Sequence, residues 1–274
     1  VPLMIGLSGP SGAGKTYSAL RLATGIREIA GGETVVIDTE NQRARHYADL
    51  FRFRHVDFAP PFGSRDYIDA LAAAVRRPPG VIIIDSLSHE HEGEGGFLDF
   101  YAMELQRLAG DDPNPQRAQL AAWRRPKAAR RALLAGLLRL DVHVIACFRA
   151  TERTRQSRDP AALEPVEMGF TPIAGPEFIY ELTLGALLRP GARGVPTWFS
   201  DRPGESLAVK CPIHFQAIFR EGEPLGEQHG RALAQWAQSP ATSTRPAPRK
   251  TSDRPRRIRS LASAHDDARK SSEL

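Results

Sequence analysis

The stretch Leu3-Met4-Ile5-Gly6-Leu7-Ser8-Gly9-Pro10-Ser11-Gly12-Ala13-Gly14-Lys15-Thr16 decides the fold. A short apolar run of strand length breaks into a glycine loop, and a helical pattern over residues 16–29 follows at once. The loop fits G-x-x-x-x-G-K-[ST] at every position, in the strand–loop–helix setting the motif requires. Its glycines let backbone N–H groups converge on an anion, and the helix N-terminus adds positive potential there. Lys15 is placed to reach the β- and γ-phosphates of a nucleoside triphosphate, and Thr16 to ligate Mg²⁺ through its hydroxyl. Gly9, Pro10, Ser11, Gly12, Ala13, Gly14, Lys15, Thr16 and Tyr17 together form the candidate nucleotide cradle.

Working outward, residues 3–8, 34–38, 81–85 and 142–148 are short β-branched apolar runs, as expected of parallel strands covered on both faces. Between them lie helical patterns at 66–77, with Ser64 as a candidate N-cap, and at 117–140, where Pro126 should break or kink the helix. Strands alternating with helices predict an α/β layered sheet. Residues 149–158 are polar and basic without periodicity and read as a mobile loop. Residues 178–188 and 195–199 flank a Pro-Gly turn and read as a β-hairpin at the sheet edge, with a last helix at 226–238. The expected organisation is one domain over 1–238 and a disordered basic tail over 239–274.

Two strands end in carboxylates. Val81-Ile82-Ile83-Ile84-Asp85 brings Asp85 to the carboxyl edge of the sheet, where α/β proteins hold ligands, so Asp85 is a candidate Mg²⁺ ligand or a simple turn cap. Val35-Val36-Ile37-Asp38-Thr39-Glu40 ends on the same edge. Glu40 is the candidate group that orients or deprotonates an attacking water. Asp38 and Glu40 can instead bind ribose or cap the next helix. In Ser88-His89-Glu90-His91-Glu92, Glu90 rivals Glu40 as base, while Ser86 and Ser88 are candidate phosphate or water ligands. The two histidines lack the H-E-x-x-H spacing of a metal-binding helix.

Strand–GPSGAGKT–helix, then VVIDTEN, then VIIIDSLSHE resembles the core of RecA-type recombinases, and more closely the phage-encoded RecA-like P-loop ATPases. The likeness runs from Leu3 to about Ala237 and includes the more particular SLSHEHEGEGG run. It implies a RecA-like fold and an ATPase using ATP and Mg²⁺, with Lys15, Glu40 and Asp85 catalytic and Thr16 and Asp85 on the metal. It also implies a cytoplasmic role in phage recombination or strand annealing, with single-stranded DNA and other recombination proteins as partners, and a homo-oligomer. The chain departs from the pattern at the end of the fourth strand: Cys147-Phe148-Arg149 stands where a Gln or Asn usually senses the γ-phosphate, so Arg149 is the candidate sensor. A P-loop kinase and an NTP-gated assembly module are the competing readings.

The 274 residues are 41% hydrophobic and 25% charged, which suits a sizeable core. Two cysteines exclude a disulfide framework, and no apolar run approaches the ~20 residues of a membrane span. The apolar start reads as a strand rather than a signal peptide, and its lack of Met as a trimmed start. The net charge of +5 sits beyond residue 239, where nine Lys/Arg face four Asp/Glu; the rest balances at 28 of each sign. Basic groups at Arg124, Arg125, Lys127, Arg130 and Arg131 beside Trp123, and at Arg153, Arg155 and Arg158, fit nucleic-acid contact. They also fit ordinary solvated faces in a chain with 32 Arg and 5 Lys.

Overall fold

The computed structural model describes residues 1–110, 116–156 and 165–239. Nearly all of the expected tail and Arg158 lie outside them. The chain runs β1 (Met4–Gly9), α1 (Lys15–Ala30), β2 (Thr34–Asp38), β3 (Arg54–Asp57), α2 (Ser64–Ala74) and β4 (Val81–Asp85). Then come α3 (His89–Glu92), α4 (Phe97–Ala109), α5 (Gln116–Ala122), α6 (Arg124–Arg139), β5 (His143–Arg155) and β6 (Val166–Pro172). The last elements are α7 (Pro176–Glu181), β7 (Leu184–Leu187), α8 (Pro203–Ala208), α9 (Ile213–Gln216) and α10 (Glu227–Gln238).

Six strands lie in the order β3-β2-β4-β5-β1-β7, all parallel, and β6 pairs antiparallel with the far half of β5. Side chains alternate between the two faces of a strand. Val81 and Ile83 of β4 therefore join Ile5, Leu7, Val36 and Ile145 under α1 and α10. Ile82 and Ile84 join Val35, Ile37, Val144 and Ala146 under α2 and α6. Covering both faces turns each central strand into a continuous apolar run. α1 and α10 cross closely: a methyl at Gly25 would run into the Glu227 carbonyl oxygen, and one at Gly230 into that of Leu22.

Several expectations are corrected. Residues 149–155 are not a loop; they continue β5 and pair with β6 from Ala150–Pro172 to Arg155–Val166. Their register is held by ladder hydrogen bonds rather than burial, which leaves no apolar pattern to read. The expected strand over 178–188 is helical at first, because Pro176 at a helix start pre-sets the backbone for α7. The hairpin contracts to the antiparallel bridge between Leu187 and Thr197. The break in the 117–140 helix falls at Trp123, and Pro126 sits in the first turn of α6, where its missing N–H leaves no bond unmade. Among the described residues no helix is long and apolar enough to cross a membrane.

Candidate functional site

The parallel register sets the site. Gly9 of β1 lies beside Arg149 of β5, Cys147 of β5 beside Asp85 of β4, and Asp85 beside Asp38 of β2. Glycine loop, carboxylates and arginine thus share one edge because neighbouring strands end together. Gly12 (φ 78) and Gly14 (φ 88) take left-handed backbone that a side chain would strain. Gly14 stands at the start of α1 with no side-chain cap, so the first N–H groups of a 16-residue helix face the loop. Lys15 Nζ donates to the carbonyl oxygens of Gly9 (2.9 Å) and Pro10 (2.8 Å). Burial lowers its pKa, while the nearby Cys147, Asp85 and Glu40 oppose that shift.

Thr16 Oγ1 donates to Asp85 Oδ2 at 2.6 Å. Asp85 is 2% exposed. Burial raises its pKa, the Thr16 hydrogen bond opposes, and the Glu40 charge raises it further. Cys147 is wholly buried beside Asp85, so its thiol is pushed well up, mainly by burial and then by the Asp85 charge. The sequence marks this cysteine as core and gives no hint that it touches the site.

Asp38 and Glu40 divide the roles left open for them. Asp38 accepts from the Glu40 and Ala44 N–H groups (2.8 and 2.9 Å) and meets His55 at 3.0 Å, so it fixes the turn after β2. Glu40 projects into the cleft. Its Oε1 and Oε2 accept from Arg149 Nε (2.8 Å) and Nη2 (2.9 Å), and Arg43 approaches at 3.3 Å. Burial pushes the Glu40 pKa up, but the Arg149 hydrogen bonds and charge, with help from His89 and Arg43, bring it below the ordinary carboxylate value. Arg149 N–H in turn donates to Ser88 Oγ at 2.8 Å.

These groups line one cleft of about 650 Å³: Ser11, Gly12, Gly14, Lys15, Thr16, Glu40, Asp85 and Arg149 are all on its wall. Gly9, Pro10 and Ala13 belong to the loop but not to that wall. Tyr17 is not on the wall; it packs against Tyr47 (5.8 Å) and Phe51 (5.5 Å). Arg43, His46 and Tyr47, from the 3₁₀ turn Arg43–Tyr47, do line the cleft. The sequence reading missed them, although an aromatic just past a strand that ends in a carboxylate was the available signal.

Glu90 points away. It is fully buried and accepts from Arg130 Nη2 (2.9 Å) and Ser64 Oγ (2.7 Å). Ser86 and Ser88 are fully buried and hold backbone N–H groups. His89 meets Thr39 at 2.6 Å and His91 meets Arg130 at 2.9 Å. Among the described residues no three His, Cys, Asp or Glu form a metal-holding group. The basic group near Trp123 splits: Arg130 turns inward over Phe97 (3.4 Å), Arg125 pairs with Glu104 (2.6 Å), and Trp123 stacks on Tyr101 (3.7 Å).

The family model described as AAA domain matches residues 2–175. The chain belongs to the AAA domain family. The match spans β1 to β6 and thus every residue of the cleft wall, and nucleotide binding comes with that membership. α7, β7, which pairs with β1, and the helices α8 to α10 lie beyond the matched span of this AAA domain protein. No curated protein matches the chain.

Proposed function

We propose that this AAA domain binds ATP with Mg²⁺ and hydrolyses it to ADP and phosphate. The observation that carries the reading is the convergence of Lys15, the Thr16–Asp85 pair, Glu40 and Arg149 on one cleft. The cleft volume falls in the usual range for small-molecule sites. The donor set fits Mg²⁺: a hydroxyl and a carboxylate, both hard oxygen ligands, already lie together. Thr16 and Asp85 would hold the ion, which supplies neutralisation of phosphate charge.

The chain's own groups do the rest. Loop N–H groups and Lys15 hold the phosphates, and Lys15 exchanges two loop carbonyls for phosphate oxygens. Glu40 orients a water and accepts its proton as the water oxygen bonds to the γ-phosphorus and the bond to the ADP oxygen breaks. Arg149 donates to both Glu40 oxygens and lowers the basicity of the carboxylate, so loosening that pair makes Glu40 a better proton acceptor. The γ-phosphate charge competes for the same guanidinium, which ties release of the base to arrival of substrate.

The narrower role, in phage DNA recombination or strand annealing as a RecA-like homo-oligomer, rests on the sequence likeness from Leu3 to about Ala237 alone, carried by the glycine loop, VVIDTEN and the VIIIDSLSHEHEGEGG run. Phosphate release from ATP, with and without single-stranded DNA, tests both levels. Lys15→Ala should lose nucleotide binding. Glu40→Gln should keep binding and lose about 10²–10⁴ in rate. Wild-type protein that binds ATP but releases no phosphate would sink the hydrolase reading, and turnover indifferent to DNA would remove the recombination role.

A further inference from the structure

A second cleft, of about 360 Å³, lies at the opposite end of the sheet, where β2 and β3 begin. Arg27 reaches it from the last turn of α1, Arg52 and Arg54 from the entry to β3, and Arg77 from the segment after α2. Glu33 is the carboxylate among the lining residues, and Arg54 takes it: Nε lies 2.7 Å from Glu33 Oε1, while Nη2 donates to the Ala74 carbonyl at 2.7 Å. Arg27, Arg52 and Arg77 have no carboxylate partner among the described residues. Arg27 Nε is buried with no hydrogen-bond acceptor.

Three arginines that line one groove without a carboxylate partner repel one another, and the Arg27 Nε–H adds a donor that no acceptor satisfies. One oxyanion in the groove offsets that repulsion. A phosphate group suits the site better than a carboxylate, because it carries more charge and more acceptor oxygens and matches the guanidinium fork. The phosphates of a nucleotide on the Gly9-to-Thr16 loop do not reach this groove, because the five-residue β2 separates the two ends by about 16 Å. Apart from the tail, acidic and basic residues cancel, so the groove is a local positive focus on a neutral body.

We propose that Arg27, Arg52 and Arg77 form a second anion site, one that binds phosphate groups from a nucleic-acid backbone or from free phosphate. The test uses the full chain with Arg52→Gln/Arg77→Gln, both exposed positions, and separately Arg27→Gln, each checked by melting. Anisotropy of a labelled single-stranded oligonucleotide is followed across a salt series, and inorganic phosphate is titrated by calorimetry. The difference between wild type and variant isolates the groove from the glycine loop and the tail, and the same difference should persist in a Lys15→Ala background. If strand backbone is the source, the double variant binds the oligonucleotide at least about tenfold more weakly at low salt, and its salt slope falls by about 1.4, or 0.7 per lost phosphate contact. If only phosphate binding weakens, the source is free phosphate. Unchanged binding of both probes in both variants overturns the site.

Discussion

Replacing Arg130 by Met should unfold this protein far more readily than its place on a helix surface pattern suggests. The Arg130 and Glu90 side chains are 4% and 1% exposed, and they meet at 2.9 Å. The guanidinium carbon sits 3.4 Å over the Phe97 ring, and Ser64 completes the Glu90 shell at 2.7 Å. Met keeps most of the volume and removes the charge, leaving the carboxylate buried with Ser64 alone. Stranding one partner of a buried pair costs about 3–5 kcal/mol. For a folded part of this size each kcal/mol moves the melting temperature by about 2–4 °C, so the expected drop is about 6–20 °C. Burial already raises the Glu90 pKa against the opposing Arg130 charge, and losing Arg130 raises it further. A carboxyl with a raised pKa favours the folded state at low pH and loses that contribution as pH rises, so the defect should be larger at pH 7.5 than at pH 5. Melting followed by circular dichroism reads both quantities. Glu90→Leu/Arg130→Met should recover much of the loss, because no charge is stranded. An Arg130→Met protein that melts within a degree or two of wild type would refute the argument. A Glu90→Gln protein of normal stability that releases no phosphate would move the base from Glu40 to Glu90.

The remaining predictions concern the cleft, one histidine and one helix crossing. Glu40 is held below the usual carboxylate range, so activity should be lost only as pH falls through that depressed value; in Arg149→Ala the acid limb of the phosphate-release profile should move to higher pH. His91 accepts a hydrogen bond from Arg130, and burial and then the Arg130 charge lower its pKa to about 4. Between the ordinary imidazole value and about 4 the unfolded chain binds the extra proton, so stability should fall as pH drops through that window, and His91→Gln should fall less, read by melts at pH 7 and 5. Gly25→Ala should destabilise by about 1–3 kcal/mol in denaturant titrations despite the better helix propensity of Ala, since its methyl meets the Glu227 backbone.

The sequence was most legible where two physical demands coincide. β2 and β4 are buried on both faces and end in carboxylates, so apolar run and strand-end charge mark the same place, and both boundaries agree with the structure. The glycine loop is legible because its backbone angles and its lysine are required together. β3, with Arg54, His55 and Asp57, is an edge strand without full cover on both faces, and its polar composition hides it. β5 past Phe148 is invisible for the same reason. Glu40 and Glu90 are indistinguishable in one dimension, since each is a glutamate just past a strand. The difference lies in the partners: Arg149 holds Glu40 at the cleft wall, while Arg130, forty residues on from Glu90, draws that side chain into the core.

β4 has consequences for how this sequence can drift. All five of its residues are buried, with Val81 and Ile83 in one core and Ile82 and Ile84 in the other, and Asp85 is locked to Thr16 at its end. No position along it faces water, so no polar change is free there. Inheritance can only exchange one branched aliphatic for another, and each exchange must suit the layer on its own side of the sheet. Descendants of this chain should therefore vary at β4 in methyl groups and in little else, and the carboxylate at its end should hold its place in space even where the sequence around it has changed.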